Sequence, residues 1–405
     1  MSGLPLAGIR VVDFTWVGAG SYATRLLADH GADVIKIESM AKIDGIRLSP
    51  PFAGGEPGPN RSGYFADRNS SKRSCAINMK TERGREIAGA LVERSQLVAN
   101  NFTPGVMERF GLGWEQVREL NPSIVYLAMS MQGSTGPERD SLGYGLTIGA
   151  IAGLHALTGL PGRSPVGTGT NYPDHIPNPT HATFALLAAL RHARRTGVGQ
   201  FVDVSQVEAT VSVLGAEMLR YTVTGDDPQP RGNTHEVFSP HGLYRCRGDD
   251  RWIAIAVTNQ SQFGALLTTL GLGSAEVSPE MDLAQRRAQA ARIDSVIESV
   301  TVGEQHQELA TRLQRAGVPA APVHDARGVV EDDAQLAARN HWVHLAHVEM
   351  GETIYGAAPF RFSTTPAELT VPAPLLGEHT GEVCREVLGM DDSEIGDLVA
   401  AGVLE

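Results

Sequence analysis

The chain has 405 residues, with 34 Lys and Arg against 46 Asp and Glu, and a net charge of -12 with histidine neutral. Its charge is spread without a long run of one sign, which argues against a nucleic-acid binder. At 42% hydrophobic and 20% charged it is neither a disordered chain nor a disulfide-stapled miniprotein. The three cysteines, Cys75, Cys246 and Cys384, lie far apart and form no CxxC pair, so neither a disulfide framework nor a Cys-rich zinc site is expected. No stretch approaches the roughly 18 apolar residues of a transmembrane helix. Met1–Arg10 lacks the basic-then-apolar pattern of a signal peptide, and a cytoplasmic location is expected.

The opening reads as a βαβ unit. Ile9–Phe14 is a short apolar run suited to a buried strand, Gly18-Ala19-Gly20 turns, Tyr22–Asp29 reads as a helix, and Asp33–Glu38 alternates as a second strand. Arg47–Arg61 holds four Pro and three Gly and reads as a loop. Helix, strand, helix and strand follow at Glu82–Ser95, Leu97–Phe102, Trp114–Leu120 and Ile124–Met129. Such alternation implies a mostly parallel, doubly wound α/β sheet. Gly143–Thr158 is predicted helical, Gly159–Pro179 is a long Gly/Pro loop, and Thr180–Arg195 is a strongly periodic helix with Pro179 before it and Gly197 after it. A strand at Phe201–Val204 and a helix at Gln206–Tyr221 close this part. Gly225–Gly232 is a candidate boundary. Beyond it come a hairpin over Leu243–Val257, helical segments from Gln262 to about Ala316, and a proline-containing edge strand at Val318–Val323. From about Asp325 the chain is expected to return to the first domain.

Several motifs carry chemistry. Gly18–Ala23 matches G-x-G-x-x-G/A between a strand and a helix, with Glu38 ending the next strand, which is the dinucleotide fingerprint in context. The pattern is short, and its plain alternative is a tight βα turn. The tract Arg68–Ser74 holds three cations among small polar residues; it suits phosphate docking or, more plainly, a solvated loop. Asn101-Phe102-Thr103-Pro104-Gly105 ends a strand and enters a helix bearing Arg109, where open parallel sheets bind ligands. Tyr172-Pro173-Asp174-His175 lies late in the Gly-rich loop, and its carboxylate is a candidate nucleophile or base as well as a plain helix cap. His341, His344 and His347 recur every third residue without the H-E-x-x-H pattern of a zinc helix.

Taken in order, "LAGIRVVDFTWVGAGSYATRLLADHGADVIKIES", "NSSKRSCAINMKTERGREI", "NNFTPGVMERFGLGWEQVRELNPSIVYLAMS" and "GVGQFVDVSQVEA" resemble the class III CoA-transferases, the family of formyl-CoA and carnitine CoA-transferases and alpha-methylacyl-CoA racemase. The resemblance covers most of the chain and is clearest over residues 4–210. It implies a Rossmann-like large domain from residues 1–225 and 330–405, a smaller α+β domain at 226–329, and an interlocked homodimer or a heteromer with a related subunit. It implies that the Gly18–Gly20 turn receives CoA rather than NAD, with CoA and acyl-CoA as substrates and no permanently bound cofactor.

The family's catalytic aspartate falls on Asp174. CoA-contacting positions fall on Val17, Gly18, Ala19, Ile77, Asn78, Met79, Lys80, Asn101, Phe102, Arg109 and Tyr144. Ser39 follows Glu38 where many members have an adenine-side Arg, so Arg47 or Lys72 is expected to substitute. The implied chemistry moves CoA from an acyl-CoA donor to a carboxylic acid through an aspartyl-CoA thioester. Within the family, "YPDHIPNPTHA" and "SPHGLYRCRGDDRWIAIAV" look most like transferases of bulky aromatic or dicarboxylic acids, such as benzylsuccinate CoA-transferase subunits using succinyl-CoA. The alternatives are a racemase, whose His would fall near Tyr144, an NAD-dependent oxidoreductase, and a non-catalytic partner subunit.

Overall fold

The computed structural model describes residues 3–275 and 277–405. They form two compact units. One runs to His155 and adds Gly167–Pro228 and Gln335–Glu405; the other comprises Ala156–Val166 and Gln229–Ala334.

The first unit is built from β1 (Arg10–Asp13), α1 (Ala19–Ala28), β2 (Asp33–Glu38), α2 (Gly63–Asn69), β3 (Arg73–Ala76), α3 (Glu82–Glu93), β4 (Leu97–Asn100), α4 (Val106–Arg109), α5 (Trp114–Leu120), β5 (Val125–Ala128), α6 (Gly145–Ile151), α7 (Tyr172–His175), α8 (Pro177–Thr196), β6 (Gln200–Asp203), α9 (Gln206–Val211) and α10 (Gly215–Thr224). The strands form one sheet in the order β3-β2-β1-β4-β5-β6, every neighbour parallel. Strand order reverses between β1 and β4, the switch point where doubly wound sheets open a crevice.

Both faces of the sheet are covered. On one, Val12, Ile35, Ile37 and Val98 pack with Ile87 and Leu91 of α3 and with Val383, Cys384 and Leu404. On the other, Val11, Val34, Leu97 and Val125 pack with Ala23 and Leu27 of α1 and with Ala182, Leu186 and Ala189 of α8. Strand side chains alternate between faces, so each short strand feeds both layers.

Four segments depart from the sequence reading, the first being Gly143–Thr158, which holds only the short α6 and a 3-10 turn at His155–Leu157. The Arg68–Ser74 tract is not a solvated loop: it ends α2, and Arg73 begins the edge strand β3. Its charges find partners, Arg73 pairing with Asp33 at 2.7 Å and with Glu382 and Glu386 at 3.0 Å each. The Gly159–Pro179 stretch contains the single turn α7, and α8 starts at Pro177 rather than Thr180. Pro177 and Pro179 both sit in its first turn, where a missing N–H loses no intrahelical bond. The helix expected over Gln206–Tyr221 divides into α9 and α10 at a 3-10 turn over Ser212–Leu214.

The second unit carries β7 (His241–Arg245), β8 (Trp252–Ala256) and β9 (Ala320–Pro322), antiparallel in that order, and the helices α11 (Gln260–Leu270), α12 (Leu283–Ala288), α13 (Ala290–Thr301) and α14 (His306–Arg315). Its core centres on Ile253, Ile255, Phe263, Leu266, Ile297 and Leu309. Proline-bearing β9 lies at the sheet edge, where a missing donor is tolerated.

Back in the first unit, β10 (Trp342–His347) and β11 (Gly351–Gly356) form a hairpin that holds two of the three histidines. His344 Nδ1 lies 3.0 Å from Glu352, and buried His347 accepts the N–H groups of Glu349 and Met350. Among the described residues no cluster of three or more His, Cys, Asp or Glu has the arrangement of a metal site, and no helix is long and apolar enough to cross a membrane. The three cysteines are free and buried.

Candidate active site

A cavity of about 660 Å³ opens beyond β1 and β4 at the switch point. The turn after β1 lines it through Trp16, Val17, Gly18 and Ala19; the loop after β4 adds Asn101, Phe102 and Thr103; and α4 adds Arg109. Gly143, Tyr144 and Thr147 approach from the start of α6, and Asp174 comes from α7. Eight of the residues picked out in the sequence therefore meet here: Val17, Gly18, Ala19, Asn101, Phe102, Arg109, Tyr144 and Asp174.

The first turn is held from several directions. Val17 is in the left-handed region at φ 58°, which a β-branched residue strongly disfavours. Such strain persists only where neighbours over-determine it. Asn101 Oδ1 accepts the Trp16 N–H at 2.8 Å, and Asn101 Nδ2 donates to the Trp16 carbonyl at 2.7 Å. Asp44 Oδ1 accepts the Val17 N–H at 3.1 Å, while Lys36 Nζ donates to the Thr15 carbonyl at 2.5 Å and pairs with Asp44 at 3.1 Å. The Asn101 amide, a CoA contact by the family resemblance, is therefore spent on the backbone of the turn. Phe102 stands edge-on to Trp16 with ring centroids 5.6 Å apart.

Two adenine-side candidates lie elsewhere. Arg47 is fully buried and grips Glu38 with two bonds of 2.8 and 2.7 Å. This bidentate pair occupies the carboxylate that a nicotinamide dinucleotide's ribose would need. Lys72 is enclosed as well. Its ammonium bonds Asp13 at 2.9 Å, the Ser21 carbonyl at 2.8 Å, Thr24 at 2.7 Å and Asn69 at 2.9 Å, with no exposure to solvent. Burial pushes the Lys72 ammonium down to about 8, against the pull of Asp13. Ile77 is buried and pairs with Leu404, while Asn78, Met79 and Lys80 continue past β3 outside the cavity lining. Lys42, which the sequence reading passed over, does line the cavity, its ammonium 5.2 Å from the centre of the Trp16 ring.

Asp174 is the buried carboxylate of the cavity, 4% exposed. Burial pushes its carboxyl up to about 6, while the nearby Gly145 backbone N–H and the Arg68 charge pull the other way. Two glycines let the backbone come this close. A Cβ on Gly145 would sit 2.8 Å from Asp174 Oδ2 and 2.7 Å from Asn171 Cβ. One on Gly18 would sit 3.2 Å from Asp174 Cβ and 2.9 Å from the Tyr64 hydroxyl. Tyr64 is itself pushed up by burial and by the charge on Asp174. His175 is pushed down to about 4 by burial and by Arg68, so it is neutral at pH 7. Tyr64 and Gly145 carried no sequence signal: one sits outside any motif, and the other is one glycine among 45.

A carboxylate poised near neutrality beside a backbone N–H can act as a nucleophile or a base. The CoA-transferase family III model matches residues 6–380. The chain therefore belongs to the family III CoA-transferases, enzymes that use CoA thioesters as substrates. It is 33% identical over 389 residues to succinate–glutarate CoA-transferase of Agrobacterium fabrum, covering 95% of this chain and 96% of that one. It is 31% identical to the beta subunit of succinyl-CoA–L-malate CoA-transferase of Chloroflexus aurantiacus, covering 99% and 98%. Among solved structures it superposes with a TM-score of 0.85 on a CAIB/BAIF family protein from Brucella suis, at 31% identity over 95% of this chain and 99% of that one.

Proposed function

We propose that this protein moves CoA from succinyl-CoA to a carboxylic acid acceptor, with Asp174 carrying first the acyl group and then CoA. The observation that carries the reading is Asp174 itself. It is a buried carboxylate raised to about 6, so it is mostly ionised at pH 7 yet weakly solvated, and it faces the cavity between two close-approaching glycines. In the first step its oxygen attacks the thioester carbonyl, the C–S bond breaks, and CoA thiolate leaves a mixed anhydride. The thiolate then attacks the aspartyl carbonyl and expels the donor acid, giving an aspartyl-CoA thioester. The acceptor carboxylate attacks that thioester, releasing thiolate and forming a second anhydride. Thiolate attack on the acceptor carbonyl regenerates Asp174 and gives the new acyl-CoA. The Gly145 N–H sits where charge collects on the aspartyl oxygens.

The turn Val17–Ala19, Phe102, Arg109 and Lys42 are the residues we assign to CoA, with the two cations toward its phosphates. Succinyl-CoA as donor is supported by the names of the relatives. The acceptors in those names are glutarate and L-malate, and benzylsuccinate, the aromatic acceptor expected from sequence, belongs in the same panel. Incubation with succinyl-CoA and hydroxylamine should convert Asp174 to a hydroxamate, read by peptide mass. Modification of another carboxylate, such as Asp140 or Asp203, would refute this mechanism.

We also propose a dimer or a heteromer with a related chain. Helix α10 buries none of its residues and exposes Leu219, Tyr221 and Val223, and α8 exposes Phe184. These exposed apolar side chains are the surface on which we place the contact. Sedimentation showing a monomer at micromolar concentration would overturn the proposal.

A further inference from the structure

Helix α2 places two polar side chains one turn apart beside Asp174. Tyr64 and Arg68 are i and i+4, so they share a face. The Tyr64 hydroxyl and Asp174 Cβ flank the same point at Gly18, and Asp174 feels the Arg68 charge. Both polar groups are buried and incompletely satisfied. The Tyr64 hydroxyl is approached by the Asn171 side chain without a well-formed hydrogen bond. Arg68 is 8% exposed, and its Nε–H has no partner.

One face of the guanidinium and one terminal nitrogen are held. It lies 4.4 Å over the Tyr22 ring, one terminal nitrogen contacts His175 Nδ1, and the same nitrogen lies 3.3 Å from Asp67. An arginine does not shed its proton, so the unpaired Nε–H is a standing demand for an acceptor. Neutral His175 supplies no negative charge. The Asp67 carboxylate is 48% exposed and shared with Arg25 at 3.5 Å, which makes it a weak counter-ion. That leaves Asp174 as the buried anion near Arg68, and acylation of Asp174 removes its charge. A negative group on the acyl chain would then restore the balance and give Nε–H its acceptor.

We propose that Arg68 reads a second carboxylate at the far end of the transferred acyl group, so that the protein selects dicarboxylic acids and their CoA thioesters. The inference rests on the assignment of Asp174 as the acyl carrier. The planar guanidinium fork matches a carboxylate in geometry as well as charge.

The test compares glutarate with pentanoate, acids of equal length that differ by one carboxylate, as acceptors with succinyl-CoA as donor. In a two-stage transfer the kcat/KM for an acceptor reports the second half-reaction alone. Wild-type protein should favour glutarate at least tenfold. Arg68→Gln should lower that preference at least tenfold, and Arg68→Lys, which keeps the charge without the fork, should restore part of it. An equal loss on both acids, or an unchanged ratio, would overturn the assignment. So would a wild-type enzyme that uses the two acids equally, a measurement that needs no variant. Transfer to neither acid, and to neither L-malate nor benzylsuccinate, would instead sink the transferase reading on which the inference rests.

Discussion

Asp174→Asn should abolish transfer and stabilise the fold. In the folded protein the carboxyl is raised from 3.8 to about 6, with burial as the leading cause. At 1.36 kcal/mol per pKa unit, holding it ionised at pH 7 costs the fold about 3 kcal/mol. The native state binds this proton more tightly than the unfolded chain. The penalty therefore grows as pH rises from about 4 to about 6, is complete at pH 7, and is absent below about 4. An amide keeps the size and carries no charge. A gain of about 1–3 kcal/mol at pH 7 is expected, allowing for imperfect replacement. Urea unfolding of the two proteins at pH 7 and near pH 4 measures it. His175 works in the opposite direction: its folded value near 4 lies below 6.5, so its contribution is lost as pH falls through that window. It is present in both proteins and cancels in the difference. The wild-type kcat/KM should rise with pH, half-maximal near about 6 and level above about 7, as the nucleophile ionises. A variant no more stable than wild type at pH 7, a gain of equal size at pH 4, or normal turnover by the variant would refute the reasoning.

Much of this site was legible because parallel α/β sheets put function at predictable places. Alternating elements gave the sheet, and the strand-turn-helix at Gly18 and the strand end at Asn101 fell on its switch point. Asp174 stood out as the carboxylate of the Gly-rich loop, which a helix cap would also explain, and the family resemblance singled it out as the catalytic position. What the sequence hid was where charges go. Glu38, Arg47 and Lys72 read as ligand contacts, and Asp13 and Lys36 stood in strands with no role of their own, yet all are buried in pairs. Composition cannot show this, because each partner is 8 to 59 residues away and only the fold brings the two together. The same blindness made β3 look like a loop. The αL residue of the first turn is Val17 rather than a glycine, so glycine counting missed where the strain lies. Gly18 and Gly145 matter instead for the space that they leave beside Asp174.

Gly145→Ala places a methyl 2.8 Å from Asp174 Oδ2. Displacement of about 1 Å should cost transfer on the order of 10²-fold while CoA binding holds, measured by turnover alongside calorimetry. Lys72→Met leaves Asp13 buried without its cation and should destabilise the fold by about 3–5 kcal/mol in urea unfolding. A tenfold loss of CoA affinity in the folded fraction would show instead that Lys72 reaches the ligand. Arg109→Ala should weaken CoA binding about tenfold or more, because Arg109 lines the cavity and a charge-assisted bond to phosphate is worth about 1.5–3 kcal/mol. The same calorimeter separates the two nucleotide readings of the Gly18 turn. A dinucleotide would need Glu38 free for its ribose, but Glu38 is sealed under Arg47 with 1% of its side chain exposed. CoA makes no such demand, since its pantetheine can run past Trp16 and Phe102 toward Asp174 along the cavity that these residues line. Wild-type protein should therefore bind CoA and not NAD, and tight NAD binding without CoA binding would return the turn to the dehydrogenase reading.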